Sequence, residues 1–151
     1  MNSHSIGNGA MPTLTMAGTR PYPPTLSLFT AEFWRALGTG RFQTTHCPQC
    51  DRLSFPPKPF CPHCWHRSVQ WREILPRGVI YSATTVHAAP KVFRTEAPYQ
   101  VCIVDLHAGL RIATRLLDDT PTAQALGRKV ELAVLAYEDG PLFAARLIPQ
   151  T

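Results

Sequence analysis

Four of the five cysteines in this chain fall within eighteen positions, inside the stretch HCPQCDRLSFPPKPFCPHCWH at residues 46–66. Cys47, Cys50, Cys61 and Cys64 follow the spacing C-x2-C-x10-C-x2-C. Each C-x-x-C turns the chain so that two sulfurs face one point. Two such turns supply a tetrahedron of thiolates, the shape Zn²⁺ favours with sulfur at ~2.3 Å. Pro48 and Pro62 stiffen the two turns. A redox-active C-x-x-C opens a helix after a strand, and the prolines and the second pair speak against that. Iron takes the same four ligands, so the spacing admits zinc or iron, with zinc the first reading. His46, His63 and His66 flank the sulfurs, and one of them could stand in for a cysteine. A closed four-sulfur site leaves the metal no open position, which makes its role structural. Four thiolates around Zn²⁺ carry a formal charge of −2, which Arg52, Lys58, Arg67 and backbone N–H groups would partly offset.

The remaining reactive side chains do not assemble into a catalytic set. Cys102 sits within the apolar run PYQVCIVDLH and reads as a buried, inert thiol. His87 ends a run of β-forming residues, while Asp105 and His107 share one face of another and could pair with each other. Tyr81 belongs to the same group of candidates. The sequence offers no nucleophile–base–orienter set and no glycine-rich phosphate loop. The expectation is a chain that is not catalytic alone.

The elements that must position these residues follow from periodicity. Residues 1–24 are small, polar and proline-punctuated, and read as a flexible tail. A helix is expected over 25–40, capped by Thr25 or Thr30 and ended by Gly38 and Gly40. Its apolar stripe of Leu28, Phe29, Phe33, Trp34 and Leu37 must pack against something, either the chain's own ribbon or a partner. Residues 41–72 form the zinc ribbon, with room between the cysteine pairs for a strand and a return. From residue 73 to 151 the pattern is five β-rich runs, at 78–87, 98–107, 110–117, 129–137 and 142–148. Ala108-Gly109 and Asp139-Gly140 make hairpin turns, and a short helix ending at Gly127 precedes the fourth run. Arg111, Ala113 and Arg115 alternate with Ile112, Thr114 and Leu116, the sign of one wet face. Five strands with a helical excursion before the fourth match a small Greek-key OB-fold barrel, with a different five-stranded barrel as the main rival. The fold class is therefore mainly β: an N-terminal helix, a zinc ribbon and a five-stranded OB-fold.

Composition narrows the function. The 151 residues are 44% hydrophobic and 17% charged, enough for a core and too few charges for a disordered chain. The net charge of +5 is concentrated: residues 41–94 hold eight Lys or Arg against two Asp or Glu. An anionic partner is thereby permitted. The first twenty residues lack the pattern of a secretory signal, and no apolar run approaches a membrane span. With an odd number of cysteines, the cytoplasm is the expected location and a membrane role is not.

Taken together, FWRAL, GTGRF, HCPQC, LSFPP, FCPHC, LPRGVIYSATTVH, APYQVCIVDL and LGRKVEL resemble domain of unknown function family thirty-five, over about Phe29 to Pro149. The resemblance implies an N-terminal helix and a rubredoxin-like zinc ribbon, held by Cys47, Cys50, Cys61 and Cys64, joined to a C-terminal OB-fold barrel. It also implies an accessory subunit that binds or channels acyl-CoA for a thiolase-like, hydratase or aldolase partner. Ribbons commonly carry glycine after each C-x-x-C, where a left-handed turn is needed; here Asp51 and Trp65 occupy those positions. For CoA, whose phosphates suit Arg and Lys, Lys58, Arg77, Lys91 and Arg94 are the expected contacts, with Phe93 and Tyr99 against adenine. The alternative is a nucleic-acid-binding ribbon and OB-fold. Against it, the barrel after residue 94 is not basic and lacks an outward aromatic platform.

Overall fold

The computed structural model describes residues 9–150. The element order is β1 (Thr13–Thr15), α1 (Ala31–Gly38), β2 (Gln43–His46), β3 (Leu53–Ser54), β4 (Gln70–Glu73) and β5 (Arg77–Val86). A 3-10 helix (Lys91–Glu96), β6 (Tyr99–Leu106), β7 (Arg111–Leu116), α2 (Thr122–Ala125), β8 (Lys129–Tyr137) and β9 (Gly140–Leu147) follow.

The barrel comprises β5 to β9. Antiparallel pairing joins β8 to β5, β5 to β6, β6 to β7 and β8 to β9. One parallel pair, Leu116 with Ala145, closes β7 onto β9. This is the five-stranded OB-fold barrel, and closure removes the exposed edges that open sheets must protect. Alternation puts Ile112 and Leu116 inside while Arg111 and Ala113 face out. A register shift between Ile80 and Ser82 leaves Tyr81 outside the regular ladder and more than half exposed. Gly78 is required for a different reason: a Cβ there would lie 2.1 Å from the Asp105 carbonyl oxygen. Only glycine lets β5 and β6 approach so closely at that point.

The ribbon is a separate three-stranded sheet in the order β3-β2-β4. The helix sits where ribbon and barrel meet. Phe33 of α1 has its ring centroid 5.6 Å from Phe42, 5.9 Å from Phe55 and 6.3 Å from Phe143. Phe42 is fully buried and stacks on Phe55 at 5.5 Å. Helix, ribbon and β9 thus share one aromatic core, and most of the helix stripe is covered by the chain itself. Phe29 packs on Trp71 of β4, whereas Leu28 is fully exposed.

Three expectations need correction. The helix begins at Ala31, not at 25, and Thr30 makes no side-chain cap; its hydroxyl oxygen accepts the Ser27 N–H instead. The segment expected as a tail to residue 24 is structured over much of its described part. Thr13, Leu14 and Thr15 pair in parallel with Val134, Leu135 and Ala136, and Met11 is buried. Arg20 then clamps the β8–β9 turn, donating from Nη2 to the Asp139 carbonyl oxygen at 2.8 Å and from its backbone N–H to Asp139 Oδ1. The first eight positions of that expected tail lie outside the described residues. The third correction concerns Asp105, which pairs with Arg111 and not with His107.

Candidate functional site

The two cysteine turns are built alike. In the first, the Asp51 N–H donates to the Cys47 carbonyl and the Cys47 N–H to the Arg52 carbonyl, both at 2.9 Å. In the second, the Trp65 N–H donates to the Cys61 carbonyl and the Cys61 N–H to the His66 carbonyl, again at 2.9 Å. Closing each turn demands a left-handed residue after the second cysteine, and Asp51 (φ 60°) and Trp65 (φ 64°) supply it without glycine. The first is secured by its side chain: the Asp51 carboxylate meets Nε2 of buried His46 at 2.6 Å. That contact holds the Asp51 carboxyl below the usual carboxylate range. Trp65 finds no comparable anchor. It is 73% exposed and stacks on Phe60, also partly exposed, at 5.6 Å.

The sulfurs of Cys47, Cys50, Cys61 and Cys64 all lie within 4.8 Å of one another. Cys47 and Cys64 are 3.6 Å apart, and Cys50 and Cys61 are 3.5 Å apart. A tetrahedron with Zn–S bonds of ~2.3 Å has sulfur–sulfur edges of about 3.8 Å, so the donor set fits zinc. Four thiols so close cannot all ionise without a cation among them. Burial pushes the Cys50 thiol up to about 12, and the neighbouring thiols add to the rise. Burial also opposes the Cys61 thiolate, yet the backbone N–H groups of Cys64 and His63 and the adjoining thiols bring it down to about 6. The expected four-cysteine zinc site is therefore geometrically complete, with two of its sulfurs on buried residues and two on half-buried ones.

The six residues expected to meet CoA do not form one site. Arg77 begins the ten-residue strand β5, while Lys91, Phe93 and Arg94 lie beyond its other end, with about 30 Å of strand between at ~3.3 Å per residue. Lys58 belongs to the ribbon, where its N–H donates to the Thr45 hydroxyl. Arg77 lies 3.9 Å from Glu131. What does come together is a smaller group at the far barrel end. Phe93 and Tyr99 meet edge-on at 6.2 Å, and the Arg115 guanidinium lies 4.0 Å from the Tyr99 ring centre while pairing with Glu96 at 2.6 Å. Arg115 was legible only as an outward residue of β7; its aromatic partners come from another strand and a loop.

Of the candidate reactive side chains, Tyr81 and Asp105 meet at Arg111, and the others stand apart from them. Cys102 is buried inside the barrel, where desolvation pushes its thiol up to about 11. Tyr81 lies beneath the Arg111 guanidinium, 3.7 Å from ring centre to Cζ. His87 and His107 are exposed. No helix among the described residues is long and apolar enough to cross a membrane.

Against known proteins, residues 34–70 match the ChsH2 rubredoxin-like zinc ribbon domain, and residues 71–135 match the ChsH2 C-terminal OB-fold domain. A DUF35 domain-containing scaffold protein of Methanocaldococcus jannaschii is 36% identical over 87 residues, 56% of this chain and 61% of that protein. A Thermomonospora curvata protein named "Probable enoyl-CoA hydratase alpha subunit" is 31% identical over 109 residues, 72% of this chain and 34% of its own length. The chain thus spans about three fifths and one third of these two relatives. Among solved structures, a chain of the Ltp2-ChsH2(DUF35) aldolase is 30% identical, with a TM-score of 0.71 over 83% of this chain and 98% of that one. A DUF35-family structure from Sulfolobus solfataricus, 12% identical with a TM-score of 0.53, covers 78% of this chain and 84% of its own and shares the fold.

Proposed function

The chain belongs to the DUF35 family of ChsH2-like zinc-ribbon and OB-fold proteins, and we propose that it is an accessory subunit that holds an acyl-CoA for a partner enzyme. Cys47, Cys50, Cys61 and Cys64 hold a structural zinc, which fixes the ribbon and performs no step. The partner is a thiolase-like enzyme, a hydratase or an aldolase, and the complex works in the cytoplasm, where five unpaired thiols are at home. One observation carries the reading. The likeness to the aldolase-complex chain runs through 98% of that chain, so the same two modules occur together in both. The name of the T. curvata relative supports the acyl-CoA part. The dispersal of His87, His107 and buried Cys102 supports an accessory role, since no two of them share a reaction centre.

Co-expression with a thiolase-like, hydratase or aldolase protein encoded beside it tests this. The expected result is a stable complex on size exclusion that turns over a CoA thioester, with no turnover by this chain alone. Turnover by the isolated chain that His87→Ala or Cys102→Ala abolishes would overturn the reading. So would a sequence-selective, submicromolar complex with single-stranded DNA or RNA at physiological salt.

A further inference from the structure

Between the ribbon and the barrel lies an open cleft of about 570 Å³. Its walls come from three places: the first cysteine turn with Arg52, strand β4 with Arg72, and the β6–β7 turn with Arg111. His63 of the second cysteine turn joins them. Arg111 is held in place before any ligand arrives. Asp105 receives its Nε–H at 2.6 Å and an Nη2–H at 3.0 Å, and Tyr81 supports its plane. A guanidinium has five N–H donors, so three remain. Among the described residues the ion pairs of the chain involve neither Arg52 nor Arg72. The acidic residue on the wall, Asp51, is already engaged by His46.

Cations beside a thiolate cluster have a plain alternative duty, which is to balance its charge. Here the main chain serves the sulfurs. The backbone N–H of His63 donates to Cys61 at 3.4 Å, and those of Arg52 and His66 face Cys50 and Cys64 and favour their thiolates. Arg52 and His63 themselves line the cleft.

We propose that this cleft binds the phosphate groups of the acyl-CoA ligand, with Arg52 and Arg72 closing on an anion that Arg111 receives. The inference rests on the reading of the chain as an acyl-CoA subunit, and it replaces the scattered contacts expected from sequence. Planar, forked donors converging from separate elements suit the oxygens of a diphosphate or a phosphomonoester.

Calorimetric titration of the zinc-loaded full chain, alone and with its partner, tests it with three probes: CoA, pantetheine, which lacks the phosphates, and inorganic pyrophosphate. R52Q/R72Q should weaken CoA and pyrophosphate about tenfold or more, leaving pantetheine binding and zinc content unchanged. Lys91→Glu and Arg94→Glu should leave CoA affinity at the parent value. If CoA binds and R52Q/R72Q changes nothing, the cleft assignment falls while the proposed function stands. Should pyrophosphate bind through Arg52 and Arg72 while CoA does not, the cleft stands as a phosphate site and the acyl-CoA reading falls. Displacement of CoA by a single-stranded oligonucleotide at lower concentration would assign the cleft to nucleic acid and overturn the CoA source. Failure of both CoA and pyrophosphate to bind would overturn both.

Discussion

The ribbon and the barrel are held together by different physics. The barrel has a closed hydrogen-bond ladder around Ile80, Val104, Val130, Leu132 and Val134, all nearly inaccessible to water. Its order is spread over many contacts, each modest. The ribbon has ten strand residues in three short strands, and its own buried apolar share is small. It depends on four sulfurs converging on one point and on aromatic residues lent by its neighbours. A module too small to bury its own core needs a staple, and the staple concentrates the stability in a few atoms.

The largest effect should therefore come from removing the metal. Cys61→Ser, or treatment with a strong chelator, should remove a contribution on the order of 10 kcal/mol to ribbon folding. Hydrogen exchange is expected to show residues 43–73 losing protection while β5 to β9 keep theirs. Elemental analysis should find about one zinc per chain in the parent and none in the variant. Iron in a red protein, or simultaneous collapse of the barrel, would break the comparison.

A smaller change should strike both modules together. Phe42 is fully buried where α1, the ribbon and β9 meet, with Phe143 at 5.3 Å. Phe42→Ala should cost about 3–5 kcal/mol by the lost transfer energy and the cavity it leaves. A single, lowered denaturation transition with zinc retained is the expected result. Two separate transitions would show that the seam couples the modules less than its packing implies.

The smallest effect separates the two cysteine turns from each other. Both need a left-handed residue, but only Asp51 gives something back, through its bond to buried His46. Asp51→Gly should lower ribbon stability despite the easier backbone. Trp65→Gly should raise it, by at most about 1 kcal/mol, since glycine has no Cβ penalty and the Phe60 stack returns only part of it. Equal effects of the two substitutions in thermal melts would show that the His46 contact contributes nothing.

Much of this was legible because it is local. The C-x2-C spacing places its own sulfurs within one turn, so the metal centre needed no knowledge of the remaining chain. Alternation along 111–116 reads the wet and dry faces of β7, because strand geometry has a period of two wherever it occurs. Turn glycines such as Gly109 and Gly127 were legible from residue type and place between the β-rich runs, and both adopt positive φ. Even the requirement for a left-handed residue after each C-x-x-C could be stated in advance. How Asp51 and Trp65 would meet it could not, since His46 and Phe60 are partners of the folded turn.

What only the tertiary structure decided are the contacts between residues far apart in the chain. Thr13–Thr15 are too short a run to announce a strand, and their pairing with β8 comes only from the folded chain. The helix stripe could have awaited a partner; Phe42, Phe55 and Phe143 cover it only once ribbon and barrel are docked. The basic residues show the same limit most sharply. Lys58, Arg77, Lys91 and Arg94 looked like neighbours, as basic residues on loops near the ribbon–barrel junction, yet Arg77 begins a strand and about 30 Å of that strand lies between it and the last two. Arg52, Arg72 and Arg111 looked unrelated and line one cleft. Sequence spacing specifies geometry only across a turn or along one strand; where two modules meet, their docking sets which charges become neighbours.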